Sequence, residues 1–196
     1  MRRTSMRTMA LLVVVTGTLA VGLARSTPVA GQATPDAQAK IANAMSAGPA
    51  SIAKDATILD NDLDATGKFV ALREGSNDWF CFPDLPSTPG NDPQCLDQTW
   101  LDWNYAWMAG EAPEVTVPGL AYMLQGGSDP SNTDPLATVP AAGEDWVSTP
   151  PHIMITLPGK LDQSVFSTDP HNGGPWIMWA RTPYEHLMVP VAAVKH

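Results

Sequence analysis

Two short apolar runs carry the residues best suited to chemistry. "PHIMITLP" spans Pro151 to Pro158 and "EHLMVP" spans Glu185 to Pro190, and each holds a His-x-Met with a proline after it. The chain has four histidines, so half of them share this one local setting. Side chains alternate faces along a strand. His152 therefore shares a face with Met154, and His186 with Met188, while Ile153, Ile155, Leu187 and Val189 point the other way. If the two strands are neighbours, two imidazoles and two thioethers converge, a donor set that suits copper better than zinc, magnesium or calcium. The competing reading is ordinary packing, with methionine filling gaps and histidine hydrogen-bonded in the core.

Other residues offer different chemistry. His171 sits in "STDPHNGGP", where Asp169 could orient its imidazole for acid–base work, although so polar a stretch also reads as a solvated turn. Glu185 adjoins His186, but neighbours along a strand face opposite ways, which disfavours that pair as a catalytic unit. Asp60, Asp62 and Asp64 in "DNDLDATGK" have the rhythm of a calcium loop; Ala65 and Ala71 stand where that loop needs glycine and glutamate, so a hairpin turn fits better. The aromatic residues Trp100, Trp103, Tyr105, Trp107, Tyr122, Trp176, Trp179 and Tyr184 supply pocket walls or core. Among them Tyr122, Trp176 and Tyr184, together with His171, are the expected contacts for an organic ligand. The sequence has no G-x-S-x-G, H-E-x-x-H, P-loop or C-x-x-C-H.

The elements that would position these groups follow from local signals. "DAQAKIANAMSAG", introduced by Thr34-Pro35, predicts a short helix with a thin apolar stripe at Ile41 and Met45. "SIAKDATILD" predicts a strand joined through a polar turn to "GKFVALREG" as a hairpin. "NDWFCFPD" predicts a further strand. "QCLDQTWLDWNYAWMAGE" predicts the strongest helix, with Leu96, Trp100, Trp103 and Trp107 at helical spacing and Gly110 as its cap. "VPGLAYMLQGG" predicts a buried strand, and "SDPSNTDPLATVPAAGEDW" a long loop, in which Ser128 is counted. "HIMITL", "PWIMWA" and "HLMVPV" complete the set. The expected class is α+β, an antiparallel or mixed sheet covered by one or two helices.

The first residues read as an export signal. Arg2, Arg3 and Arg7 precede the uncharged run Met9 to Ala24, and Gly31-Gln32-Ala33 supplies small residues for cleavage, expected after Ala33. That places one globular domain at 34–196, with no stable membrane span once 1–33 is removed, in a secreted or periplasmic setting. Segment 1–33 holds four of the eleven basic residues and none of the twenty acidic ones, so the remainder carries seven against twenty, a net charge of −13. Such a chain is repelled by nucleic acid. Cys81 and Cys95 are the two cysteines, and in an oxidising compartment they are expected to form a disulfide around "FPDLPSTPGNDPQ". His196, the last residue, is expected to fray.

"LREGSNDWFCFPD", "STPGNDPQC", "AYMLQGGSDPSNTDP" and "GGPWIMWARTPYEHLMVPV" resemble stretches of a family of exported bacterial proteins with no assigned activity. The resemblance implies export and a single-domain architecture and brings no catalytic residue with it. The sequence reading is thus a non-enzymatic domain that binds a small ligand or a copper-type metal through His152, Met154, His186, Met188 and nearby aromatics. The alternatives are an enzyme built on a His–carboxylate pair and a structural protein of the envelope.

Overall fold

A computed structural model describes residues 35–191; the expected signal segment 1–33 and His196 lie outside them. Among the described residues ten strands and three helices follow one another. Helix α1 is Pro35–Met45 and α2 the single turn Ala50–Ala53. Strands β1 (Thr57–Leu63), β2 (Phe69–Arg73), β3 (Trp79–Phe82) and β4 (Gln94–Asp97) lead into α3 (Gln98–Ala109). Then come β5 (Gly119–Met123), β6 (Gly127–Asp129), β7 (Val147–Thr149), β8 (His152–Thr156), β9 (Trp176–Met178) and β10 (His186–Pro190).

Eight strands form one sheet in the order β2-β1-β3-β4-β5-β8-β10-β9, and β6 pairs with β7 in a separate ribbon. The sheet is mixed: β1 and β3 run parallel, and the other neighbours antiparallel. The α+β class expected from sequence is the class observed. Three expectations shift in detail. Ala50–Ala53 is helical, so the strand begins only at Thr57. Gln94–Asp97 belongs to β4, which puts Leu96 in the sheet and not on the helix. Three helices cover the sheet, α1 and α2 packing on one face and α3 on the other.

Strand alternation creates the two layers. Ile58, Cys81 and Cys95 turn toward α1 and the turn after it, where Ala44 and Ala47 are fully buried against them. Alanine is small enough there for the helix to approach the disulfide closely, so Ile41 and Met45 add only partly buried packing. The Cys81–Cys95 bridge links directly paired residues of β3 and β4. Leu59, Phe82, Leu96, Ala121, Met154, Met188 and Met178 turn the other way, toward Trp100, Leu101 and Trp103 of α3.

Helix α3 is tied down at both ends. Asp97 caps its N-terminus, accepting from the backbone N–H of Trp100 at 2.9 Å and from that of Leu120 on β5 at 2.6 Å. Gly110 ends it in the left-handed conformation at φ 70°. Gly119 lets the first turn settle on the sheet: a Cβ there would stand 2.8–2.9 Å from the side chains of Thr156 and Thr99. The indoles of α3 are thereby held over the sheet at a fixed height.

Candidate functional site

Strands β8 and β10 are neighbours, which places both His-x-Met motifs on the α3 side of the sheet. Their pairing is antiparallel. Met188 lies opposite Met154, while His152 lies opposite Pro190, so the histidines occupy opposite ends of the pair. His152 and His186 are four register positions apart, about 13 Å along the strands. The methionines meet in the middle, and the four side chains are not gathered around one point.

Both imidazoles are buried, His152 1% and His186 2% exposed. Each is held by the same local device. Nδ1 of His152 meets the carbonyl oxygen of Pro150 at 2.8 Å, and Nδ1 of His186 that of Tyr184 at 3.0 Å. A carbonyl only accepts, so Nδ1 carries the proton and Nε2 keeps the lone pair. Burial lowers both rings to a pKa of about 4, against the opposing pull of those carbonyls; the charge of His152 further disfavours protonation of His186. Both rings are therefore neutral at pH 7. Among the described residues both Nε2 atoms are buried without a partner, as is Nε1 of Trp100. Buried polar atoms are nearly always satisfied, so such orphans call for an explanation.

A cavity of about 300 Å³ lies between α3 and the sheet, and both Trp100 and His186 line it. Its apolar walls include Phe69, Phe82, Met123, Met154 and Met178, with Trp103 and Trp107 from α3 and Trp179 from the turn after β9. Met108 and Leu85, both exposed, stand at its rim. Trp103, Trp107 and Trp179 stack with near-parallel planes, 9–21° apart, and ring centroids 6.0–6.5 Å apart. His186 meets Trp100, Trp103 and Trp179 edge-on at 5.2–5.8 Å.

Trp179 adopts φ 50°, a region costly for a bulky residue. The long loop after β6 holds it there. Its backbone N–H donates to the Asn132 carbonyl at 2.9 Å and its indole N–H to the Ser131 carbonyl at 2.8 Å. The indole N–H of Trp176 donates to Asn132 Oδ1 at 3.2 Å, and that of Trp107 to the Pro135 carbonyl at 2.8 Å. One short stretch, 131–135, thus fixes three indoles.

The cavity also holds Asp92 and Asp129. Asp129 ends β6, where it pairs with Val147. Its carboxylate has no hydrogen-bonding or cationic partner among the described residues. Burial, with the charge of Asp92 added, pushes it up to about 7. Asp92 is also raised, by burial first; it accepts from Thr88 Oγ1 at 2.7 Å and from the Leu85 backbone N–H at 3.3 Å. Asp129 is surrounded by protein yet only part-buried by surface area, as expected for a group in the wall of a concavity.

The other sequence candidates sit elsewhere. Tyr122 lies on the opposite face of the sheet, beside Trp79, because it is in register with Cys95. Trp176 is buried behind the cavity, opposite Met188, and Tyr184 packs edge-on against Trp103. His171 is exposed in its turn, and Asp169 accepts from its backbone N–H at 2.9 Å, not from its ring. Glu185 accepts from the backbone N–H groups of Leu161 and Arg181 at 3.0 and 2.9 Å. Asp60 pairs with Lys40 at 2.7 Å, and Asp64 closes the hairpin turn by accepting from Thr66 and Lys68. Among the described residues no three or more His, Cys, Asp or Glu side chains cluster so as to hold a metal. Asp92, Ser128 and Asp129 of the cavity were not singled out by sequence as ligand contacts; a polar loop looks the same whether or not it folds back over a helix. No protein-family model, curated protein or solved structure matches the chain.

Proposed function

We propose that this is an exported, non-enzymatic binding domain that holds a small organic molecule with an apolar body in the cavity between α3 and the sheet. One observation carries the reading. The cavity is walled by indoles, phenyl rings and thioethers, and two of its residues, Trp100 and His186, carry buried nitrogens with no partner among the described residues. Such walls with a few polar atoms are what organic ligand sites share. Export is supported by the Cys81–Cys95 disulfide, since such bridges persist mainly in oxidising compartments, and by the order of residue types in 1–33. N-terminal sequencing of the exported chain tests the cleavage after Ala33.

The binding test is a titration with 2-phenylethanol followed by tryptophan fluorescence, on wild type and on Ser128→Phe, which narrows the cavity. Saturable quenching in wild type, lost in a variant with an intact near-UV spectrum, is the expected result. No binding to wild type of either this probe or its amine counterpart, phenethylamine, or equal binding by both proteins, overturns the reading.

A second reading, a site for monovalent copper, is favoured by one pairing. His186 lies directly opposite Met178 on β9, and Met154 lines the same cavity. The Nδ1 bond to a carbonyl is the orienting contact that metal-binding histidines have, and thioethers suit a soft ion. Copper(I) titration of wild type, His152→Ala and His186→Ala tests it: stoichiometric binding lost only with His186→Ala supports it, and no binding to wild type removes it.

A further inference from the structure

The cavity gathers acceptors and negative charge without a positive partner. Asp92 and Asp129 line it, and among the described residues no lysine or arginine does. The part of Asp92 that faces its own loop is already engaged by Thr88 and Leu85, and the Asp92 backbone N–H donates to Asp84 at 2.9 Å. The Asp129 carboxylate has no hydrogen-bonding or cationic partner among the described residues. His186 adds an acceptor: with Nδ1 donating to Tyr184, its unpartnered Nε2 can only receive a hydrogen bond while the ring is neutral. The stacked faces of Trp103, Trp107 and Trp179 carry the negative side of the indole quadrupole. An anion would meet two carboxylates and no donor with a charge. A neutral apolar molecule would leave Asp129 unpaired and desolvate it further. A hard divalent ion would lack a cluster of three or more His, Cys, Asp or Glu ligands among the described residues.

We infer that the molecule held in this cavity is a protonated amine on an apolar or aromatic body, with the Asp129 carboxylate as its counter-ion and His186 Nε2 as a further acceptor. The inference rests on the small-molecule reading and names its ligand class. The charge that bears on Asp129 is that of Asp92, on which Asp84 acts in turn, and His186, neutral, lines the same cavity. The raised carboxyl of Asp129 agrees with a site built for a missing positive charge, because an ammonium beside it restores the ionised form.

The experiment compares phenethylamine with 2-phenylethanol, which share the ring and spacer and differ in charge, at pH 8 on wild type and Asp129→Asn. The expected result is tighter binding of the amine to wild type, on the order of 30-fold, and loss of that preference in Asp129→Asn, which still binds the alcohol. Equal affinities in wild type, or a preference that survives Asp129→Asn, overturn the inference and leave the small-molecule reading standing. If neither probe binds the folded wild type, the small-molecule reading fails and this inference fails with it.

Discussion

Replacing Asp129 with asparagine should stabilise the ligand-free protein at pH 8 and do so much less at pH 4.5. The folded-state pKa is about 7, against an ordinary value of 3.8. A raised carboxyl means that the folded protein holds this proton more tightly than the unfolded chain does. The cost of the charge is absent below pH 3.8, grows as the pH rises, and is complete above 7. Moving a carboxyl over that interval corresponds to about 4 kcal/mol at full burial. Water in the cavity screens a part-buried group, so about 1–2 kcal/mol is expected to appear. For a chain of this size that raises Tm by about 3–6 °C. The assay is a pair of thermal melts, wild type and Asp129→Asn, across pH 4.5 to 8.5. Comparing the two at each pH cancels the histidines and surface carboxylates, which titrate in both. A difference that is absent at pH 8, or constant across the range, refutes the argument that Asp129 is buried without a partner.

Three further outcomes follow from other parts of the fold. His152 and His186 are lowered from 6.5 to about 4, so the stability that their neutral forms contribute is complete above pH 6.5 and lost as the pH falls through about 4. Melts of His152→Leu/His186→Leu beside wild type should show that the variant lacks this acid-side loss, whatever its Tm at neutral pH. Removing the disulfide in Cys81→Ser/Cys95→Ser frees a 14-residue separation and should cost about 3 kcal/mol, read as a lower urea midpoint. Gly119→Val forces a side chain into contacts already at 2.8–2.9 Å for Cβ alone; it should lift the first turn of α3, cost about 1–3 kcal/mol and change the tryptophan near-UV signal.

The parts legible in the sequence were those decided by near neighbours. Gly110 ends α3 as its position implies, the hairpin around Asp64 closes as its turn residues imply, and the apolar runs after Pro151 are strands. Leu96 shows the limit. Its spacing to Trp100 is helical, but its backbone pairs with Ala121 and Phe80 across the sheet, and no local pattern reports that. The same holds for the site. Alternation put His152, Met154, His186 and Met188 on consistent faces, yet only the antiparallel register separates the two histidines. Tyr122 was assigned to a ligand by residue type, and its pairing with Cys95 turns it away from the cavity. Asp129 reaches the cavity because β6 pairs with β7 across a long loop, a contact made between residues far apart in sequence.

That loop bears on access to the cavity. Residues 131–135 carry the hydrogen bonds that hold Trp107, Trp176 and Trp179, yet they belong to no strand or helix of the main sheet. Segments of this kind open locally at a free energy well below that of global unfolding. When the stretch lifts, three indoles lose their anchors together and Trp179 is released from its left-handed backbone, while the sheet, the disulfide and the first turn of α3 stay in place. If the cavity holds a molecule as proposed, its residence time would follow a few bonds to Ser131, Asn132 and Pro135 and not the stability of the domain, and hardening the core would leave it unchanged.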